Sequence, residues 1–250
     1  DQPRVRAPVR AAEDAAVGVQ RHLEEDHVDE QARLAALSRF KETPEIVFMP
    51  NPLFSAFPPL LDHVIRSFPP DEKIYLVGGA VRDMYLKREV HDLDFTLASG
   101  GIKTARAVAR KLEAKFFPLD PERDTGRVLV VDVTGIQHTL DFASFRGADL
   151  EADLRGRDFT INAIAIELHS HQVFDPLDGE NAIREGKLRA CSPRSIPDDP
   201  VRILRAIRLA ADFGFHIQTE TRQSMKEHVP LLGGVSPERV RDELFRILEG

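Results

Sequence analysis

The sequence predicts an α+β fold, in which a mixed, partly antiparallel sheet with flanking helices precedes an all-helical region. Short apolar and β-branched runs, separated by glycine or polar turns, fill residues 74–174 and are typical of strands. From Asp199 onward, apolar residues recur at helical spacing instead. We expect a tail or loosely packed helix in residues 1–45, a head domain in 46–186, and a helical neck in 187–250 that the chain end truncates.

The predicted head domain begins with alternating helices and strands. Its helices have one apolar face, and its strands are short and rich in β-branched or aromatic residues. A hairpin then turns at Gly135, a polar link follows at 151–156, and the apolar segment 159–168 is expected to begin a helix. The other predicted segments are helices at 60–68, 80–86 and 102–112, a strand carrying Asp92 and Asp94, and strands at 74–77, 116–119, 128–133, 137–144 and 173–174, with a short helix within 175–186.

Three helices are predicted for the neck, over residues 199–213, 220–229 and 237–249. Asp199 precedes Pro200, which is a favourable arrangement for a helix start, because aspartate caps the free N–H groups and proline fits the first turn. This capping role is an alternative to any role of Asp199 in binding.

Composition limits the classes of protein to consider. The chain has 250 residues, 42% of them hydrophobic, and a formal net charge of −7, so contact with nucleic acid must use local basic patches. A single cysteine, Cys191, excludes a disulfide framework and favours a reducing compartment. No apolar run approaches the roughly 20 residues of a membrane helix. We therefore expect a cytoplasmic location and no membrane partner. Because the sequence begins with Asp, we also expect a fragment.

Two carboxylates one residue apart, Asp92 and Asp94, lie in a predicted strand. Residues i and i+2 of a strand point to the same face, so the two groups repel each other unless a cation lies between them. Mg²⁺ favours such oxygen ligands together with substrate phosphates. An isolated pair of this kind is more often a solvated strand edge. Asp141, on a later strand, is either a third member of the group or a salt-bridged surface residue.

A glycine turn, Gly78-Gly79, joins the first strand to the next helix. Glycine N–H groups at a helix start can approach a phosphate closely, and Arg82 in the first turn can add a charged hydrogen bond. The alternative is an ordinary strand-to-helix turn in which Asp83 balances Arg82. The spacing does not match a Walker A loop or a dinucleotide-binding glycine motif.

Four motifs in a fixed order give a more specific signal. They read GGAVRD at 78–83, HDLDF at 91–95, RDFTINAIA at 157–165 and DDPVRILRAIRLAADFGF at 198–215. Together they resemble the class II tRNA nucleotidyltransferases (CCA-adding enzymes) and the bacterial poly(A) polymerases, over residues 74–248. The resemblance implies a nucleotidyltransferase head followed by a helical neck.

The resemblance also assigns site residues. It implies that Asp92 and Asp94 bind two Mg²⁺ ions, with Mn²⁺ as an alternative, and that Asp141 is a third catalytic carboxylate. Three further groups are implied to bind the nucleotide: Gly78, Gly79 and Arg82 at the triphosphate; Arg157, Asp158 and Asn162 at the ribose and phosphates; and Asp198, Asp199 and Arg202 at the base, with Asp198 and Arg202 preferred as base readers. Arg205, on the same helix, is expected either to contact phosphate or RNA or to be a solvated arginine. Asp158 has an alternative role as a helix N-cap, and Phe159 is a candidate for stacking.

The implied function is template-independent transfer of AMP, CMP or both, from ATP and CTP, to an RNA 3′ end with release of pyrophosphate. Within the family, tRNA 3′-CCA addition or repair is preferred to poly(A) synthesis. Two alternatives come from outside RNA extension: a non-catalytic nucleotide- or RNA-binding module, and an enzyme that nucleotidylates a small molecule. The sequence does not indicate an oligomeric state.

Overall fold

The computed structural model describes residues 60–69, 71–90, 92–132 and 134–249. The tail or helix predicted for residues 1–45 lies outside these ranges, and the predicted domain boundaries remain predictions. Among the residues described, no helix combines the length and apolar character needed to cross a bilayer.

Helices and strands are numbered in chain order over the described residues. The helices are α1 Leu60–Ser67, α2 Gly79–Tyr85, α3 Gly101–Lys111, α4 Leu150–Arg155, α5 Gly179–Arg184, α6 Ser195–Asp198, α7 Arg202–Phe213, α8 Thr219–His228 and α9 Pro237–Glu249, with 3₁₀ turns at Thr160–Asn162 and Val229–Gly234. The strands are β1 Ile74–Val77, β2 Asp92–Leu97, β3 Lys115–Asp120, β4 Thr125–Val131, β5 Gln137–Ser144, β6 Ala165–Glu167, β7 Val173–Phe174, β8 Lys187–Leu188 and β9 His216–Ile217.

Seven strands form one sheet in the order β3-β4-β5-β2-β1-β6-β7. The β2–β5 pair is parallel, and the other neighbours in this sheet are antiparallel. The predicted mixed, partly antiparallel sheet is therefore confirmed. The parallel pair at its centre brings the strand of Asp92 and Asp94 directly beside the strand of Asp141.

The two faces of the sheet have different chemistry because side chains alternate along each strand. On one face, Leu93 and Phe95 of β2 join the main hydrophobic core. Phe95 stacks on Phe142 at 4.7 Å and meets the edge of Phe68 at 5.6 Å. Asp92 and Asp94 alternate with these residues and point to the opposite face, which we call the site face.

A row of paired residues crosses the site face. Asp94 pairs with Asp141 on β5, Asp141 pairs with Arg127 on β4, and Arg127 pairs with Phe117 on the edge strand β3. Residues directly opposite each other on neighbouring strands share a face. In the other direction the row continues from Asp94 to buried Val77 on β1.

Two segments of the head differ from the prediction. Residues 159–168 were expected to begin a helix, but they form the 3₁₀ turn and then strand β6. Pairing of β6 with both β1 and β7 uses its backbone groups and outweighs its local preference. Residues 151–156, expected to be a link, lie mostly in α4, where Asp149 accepts a hydrogen bond from the N–H of Ala152 at 2.8 Å.

The three long neck helices are confirmed, with one change at the first. Helix α7 begins at Arg202 rather than Asp199, and no side chain caps its start. The capping role considered for Asp199 is therefore wrong. The short strand β9 was not predicted. It pairs in parallel with β8 and joins residues on either side of α7.

Candidate active site

A cavity of about 540 Å³ opens over the site face, between the sheet and the neck helices. Ten of the thirteen site residues predicted from the sequence line it. They are Gly78, Gly79, Asp94, Asp141, Arg157, Asp158, Asn162, Asp199, Arg202 and Arg205. The residues that do not line it are Asp92, Arg82 and Asp198. We call this cavity the central pocket.

The carboxylate of Asp94 lines the central pocket and has a raised pKa. Solvent reaches its side chain, but the surrounding protein desolvates it and raises its pKa. Arg157 and Arg205 oppose this rise, whereas the negative charges of Asp141 and Asp92 increase it. The sheet therefore gathers three carboxylates whose mutual repulsion a cation would relieve.

Asp141 has a partner that the sequence pattern did not predict. Nε and Nη2 of Arg127 each donate to one Asp141 oxygen at 2.7 Å, which is a bidentate ion pair. The salt-bridged alternative for Asp141 is therefore confirmed, and Asp141 also lies opposite Asp94 on the neighbouring strand, so its role as a third catalytic carboxylate stays a prediction. The signal lay in the hairpin register, which places Arg127 opposite Asp141.

The donor chemistry of this group fits Mg²⁺. Carboxylate oxygens are its preferred protein ligands, and it usually takes one or two of them together with substrate phosphates. Within the described part of the chain, no group of three or more His, Cys, Asp or Glu side chains forms a metal site by itself.

Gly78 allows the glycine turn to approach the carboxylates. Its φ of 76° is in the region that side chains disfavour. A Cβ at this position would lie 2.9 Å from Oδ2 of Asp94 and 3.4 Å from Nη1 of Arg157. A side chain at this position would therefore displace the Asp94 carboxylate, and both glycines of the turn border the central pocket.

Arg82 does not reach the central pocket. Its Nε and Nη2 donate to Asp83 at 2.9 and 2.8 Å, its Nη1 donates to Asn162 at 2.8 Å, and its guanidinium lies 4.5 Å from the centre of the Phe213 ring. The pairing with Asp83 considered as an alternative is confirmed. The buried Arg82 side chain therefore positions Asn162 through a direct hydrogen bond.

Asn162 continues this chain of polar contacts toward the neck. Its Nδ2 donates to Oδ1 of Asp158 at 3.0 Å, and Oδ2 of Asp158 lies 2.8 Å from Nε of Arg205 on α7. Burial raises the pKa of Asp158, but Arg205, the Asn162 amide and the N–H of Phe159 lower it overall. Asp158 begins no helix, so its alternative role as an N-cap is wrong. It connects the 3₁₀ turn to the neck.

Arg202 makes a second connection between head and neck. Its Nη1 donates to the carbonyls of Arg157 and Ser195 at 3.2 and 3.1 Å, and its Nη2 donates to the carbonyl of Gly156 at 3.1 Å. Arg157 in turn donates to Asp153 through Nε and Nη2. Arg202 thus fixes the backbone that presents Arg157 to the central pocket.

The two neighbouring aspartates of the last motif point to different places. Asp199 lines the central pocket and accepts a hydrogen bond from Nη2 of Arg239 at 2.8 Å. Asp198 lies outside it and pairs with Arg194 at 2.8 Å on an exposed turn of α6. The geometry therefore favours Asp199 over Asp198, the reverse of the preference drawn from the sequence.

Arg146 is a pocket residue that the sequence pattern did not predict. Its guanidinium has no hydrogen bond or ion pair with any residue the structure describes. Desolvation and the charges of Arg157, Arg123 and Arg202 lower its pKa, while Asp153 opposes this effect. These arginines form a cationic wall that an anion would stabilise. Arg146 lies two residues after the end of β5, and this position was the available signal in the sequence.

Phe159, the candidate for stacking, is fully buried. It packs in the main core and cannot contact a bound base.

Comparison with known families agrees with this geometry. A family model described as the poly(A) polymerase head domain matches residues 74–189, which contain the sheet and its carboxylates. A second model, described as a probable RNA- and SrmB-binding site of polymerase A, matches residues 214–250 in the neck.

Curated relatives and a solved structure are similar over the same region. A CC-adding tRNA nucleotidyltransferase of Geobacter sulfurreducens is 43% identical, over 70% of this chain and 40% of the relative. A CC-adding tRNA nucleotidyltransferase of Synechocystis is 41% identical, over 69% of this chain and 41% of the relative. The Thermotoga maritima CCA-adding enzyme in complex with tRNA is 31% identical, with a TM-score of 0.70, over 79% of this chain and 49% of that one.

This chain thus spans less than half the length of these relatives. Over the matched region it shares the head-domain fold with the solved structure. The chain belongs to the family of tRNA nucleotidyltransferases and poly(A) polymerases.

Proposed function

We propose that this protein is a template-independent nucleotidyltransferase that extends the 3′ end of tRNA from CTP or ATP. The observation that carries the proposal is the set of carboxylates of Asp92, Asp94 and Asp141 on the site face, beside the glycine turn and the cationic wall. Acidic groups that share a site with phosphate-binding elements suit nucleotidyl transfer.

In the proposed reaction, the RNA 3′ hydroxyl attacks the α-phosphorus of the nucleotide. A new phosphodiester P–O bond forms, the bond to pyrophosphate breaks, and the hydroxyl proton is released. Asp92 and Asp94 would hold Mg²⁺, and Asp141 would support them. When bound, the metal ions activate the hydroxyl and stabilise charge on the leaving pyrophosphate. The chain's own residues position the two substrates on either side of the carboxylates.

The triphosphate is assigned to the glycine turn and to two members of the cationic wall, Arg146 and Arg157. Gly78 and Gly79 offer backbone N–H groups, and Arg146 and Arg157 supply positive charge. Arg82, given this role from the sequence, is reassigned to positioning Asn162. Asn162 and Asp158 border the same pocket and remain the proposed contacts for the ribose.

The base is assigned to the neck side of the pocket. The Asp199 carboxylate can accept a hydrogen bond from the exocyclic amine that C and A both carry, while Arg239 or Arg205 can donate to a ring nitrogen or carbonyl. U and G do not offer the same pattern. Arg202 is assigned to holding the backbone rather than reading the base, because its contacts to three carbonyls occupy it.

CTP is favoured as the first substrate. The Geobacter and Synechocystis relatives, each more than 40% identical to this chain, are both named CC-adding enzymes, whereas the more distant Thermotoga structure is named a CCA-adding enzyme. Addition of AMP after CMP is the second candidate, and poly(A) synthesis is the third. A cytoplasmic location stays a prediction.

The test is incubation of the whole protein with Mg²⁺, a tRNA lacking its 3′ CCA, and each nucleoside triphosphate alone or with CTP. We expect extension with CTP by two residues, and further extension with ATP if the enzyme completes CCA. Long tails from ATP alone on any RNA would favour poly(A) synthesis. If folded protein binds nucleotide and tRNA without extending the tRNA, the non-catalytic binding module is correct instead.

A further inference from the structure

The edge strand β3 carries two exposed apolar side chains. Phe117 is 46% exposed and Leu119 is 49% exposed, although both belong to a regular element of the sheet. By contrast, Phe116, the neighbour of Phe117, points to the opposite face and packs against the main core. An exposed aromatic ring on a sheet next to a pocket is a feature that base-binding proteins use.

Phe117 lies at a defined place relative to the carboxylates. It is the outermost described member of the row that runs from Asp94 through Asp141 and Arg127. Neighbouring strands are about 4.8 Å apart, so Phe117 is about 10 Å from the Asp141 position along the site face. One nucleotide can span this interval, with its 3′ oxygen at the carboxylates and its base over the ring.

The strand connects to the central pocket at its other end. The pairing of β3 and β4 shifts register between Pro118 and Asp120, and Leu119 lies at this irregularity and lines the pocket. Arg123, in the following turn, also lines the pocket and is largely exposed. A bulge of this type redirects a side chain next to a site.

The sheet order separates the two substrates. The glycine turn follows β1, and Asn162 precedes β6, so these two contacts assigned to the incoming nucleotide lie to one side of the carboxylates. Strands β4 and β3 lie to the other side. The attacking and leaving oxygens of a phosphoryl transfer are roughly in line, which requires the RNA hydroxyl to approach from the side opposite the pyrophosphate.

We propose that Phe117, with Leu119 beside it, is the platform on which the 3′-terminal base of the acceptor RNA stacks. This inference rests on the proposed function and adds a binding site for its second substrate, the acceptor RNA. Arg123 and Arg127 supply positive charge along the same strand pair, where the backbone phosphates of that RNA end would lie. The platform binds any base, because every base has an aromatic face.

The first experiment compares Phe117→Ala and Phe117→Tyr in the whole protein, with tRNA lacking its 3′ end as the acceptor. Loss of one stacking contact should raise KM for the tRNA by about tenfold. KM for CTP should not change, and Phe117→Tyr should restore binding of the tRNA. Ile136→Ala is the matched control, because Ile136 is 45% exposed but lies at the far end of the β4–β5 hairpin.

The second experiment reports stacking without catalysis. A tRNA acceptor carrying 2-aminopurine at its 3′-terminal position should lose fluorescence on binding the wild-type protein and the Ile136→Ala variant. Binding to Phe117→Ala at saturating protein should leave more of that fluorescence. Equal quenching by the wild-type protein and Phe117→Ala would overturn the inference.

The outcomes separate this inference from the proposed function. If the wild-type protein extends tRNA and Phe117→Ala has an unchanged KM for it, the platform is wrong and the function stands. If Phe117→Ala instead changes only the sedimentation of the protein, the surface is a contact between protein chains and the platform is again wrong. If the wild-type protein extends nothing, the proposed function itself fails.

Discussion

Gly78 shows how much one residue decides at this site. Its φ is positive, and a Cβ would lie 2.9 Å from Oδ2 of Asp94, so a side chain here requires the Asp94 carboxylate to move. We expect Gly78→Ala to lower nucleotide incorporation by at least about a hundredfold, because the new methyl group displaces the Asp94 carboxylate. The measurement is the rate of CMP incorporation, with folding checked by circular dichroism.

Gly214→Ala is the matched control for this change. Gly214 also has a positive φ, of 65°, but nothing lies within 4 Å of an added Cβ. It should lose about 1 kcal/mol of stability and keep its activity. Equal losses of activity in the two variants would show that backbone strain, not displacement of Asp94, is responsible.

Arg146 gives a second residue-scale prediction. Because its guanidinium has no partner in the described part of the chain and faces the cationic wall, Arg146→Ala should mainly weaken triphosphate binding. We expect KM for CTP to rise about tenfold or more, the effect of losing one charged hydrogen bond. Arg155→Ala, which removes an exposed arginine of α4, is the control. An unchanged KM for CTP in Arg146→Ala would remove this residue from the site.

Local sequence pattern was sufficient for some of these residues and not for others. The glycine turn and the pair Asp92 and Asp94 are close in sequence, so strand alternation alone predicts their arrangement. Arg127 and Arg146 were missed because their role depends on which strands pair and in what register. Which of Asp198 and Asp199 lines the central pocket depends on where the short helix α6 ends. A one-residue shift of that end would exchange the positions of the two side chains.

At the scale of elements, helix α3 is capped from outside its own sequence. Asp124, in the turn before β4, accepts hydrogen bonds from the N–H groups of Gly100, Gly101 and Ile102 at 2.8 to 3.0 Å, and from the Ser144 hydroxyl. Desolvation raises the pKa of Asp124, but these four donors lower it overall. The cap ties α3 to the β3–β4 turn and to β5.

This cap predicts a pH-dependent loss of stability. The pKa of Asp124 is lower in the folded state than its ordinary value of 3.8, so its stabilisation is present above about pH 4 and is lost as pH falls through the folded value. Asp124→Asn should cost about 1 kcal/mol at pH 7 and less at pH 3. Urea unfolding at both pH values measures this difference. A constant difference would show that the charge of Asp124 does not stabilise the cap.

Element type followed from periodicity where segments were long, as in α7, α8 and α9. It failed for residues 159–168, whose apolar run suits either a strand or a buried helix. There the choice was made by hydrogen bonding to β1 and β7, which a local pattern does not contain. The same reason explains β8 and β9, two-residue strands that exist only as a pair.

At the scale of the whole molecule, the site depends on the attachment of neck to head. Arg202 donates to the backbone carbonyls of Gly156, Arg157 and Ser195, Arg205 pairs with Asp158, and Phe213 stacks with Arg82. Head and neck residues therefore form one wall of the central pocket. The mixed sheet and helical neck were predictable, but the contacts that join them were not, since each links residues distant in sequence.

This attachment predicts different effects for two neighbouring charged residues. Arg202→Ala should destabilise the protein by about 1–2 kcal/mol, because it removes the donor to the part-buried carbonyls of Arg157 and Ser195. Asp199→Ala should leave urea unfolding nearly unchanged and reduce discrimination between CTP and UTP. A stable Arg202→Ala variant with altered nucleotide choice would show instead that Arg202 reads the base.

The central claim is that the carboxylates on the site face catalyse nucleotidyl transfer, and Asp94 tests it most directly. The measurement is incorporation of CMP into a tRNA lacking its 3′ CCA, with Mg²⁺, by the wild-type protein, Asp94→Ala, and Glu151→Ala as an exposed acidic control. We predict extension by the wild-type protein and the control, and a loss of at least about a hundredfold in folded Asp94→Ala. Extension by Asp94→Ala at the wild-type rate would contradict the claim.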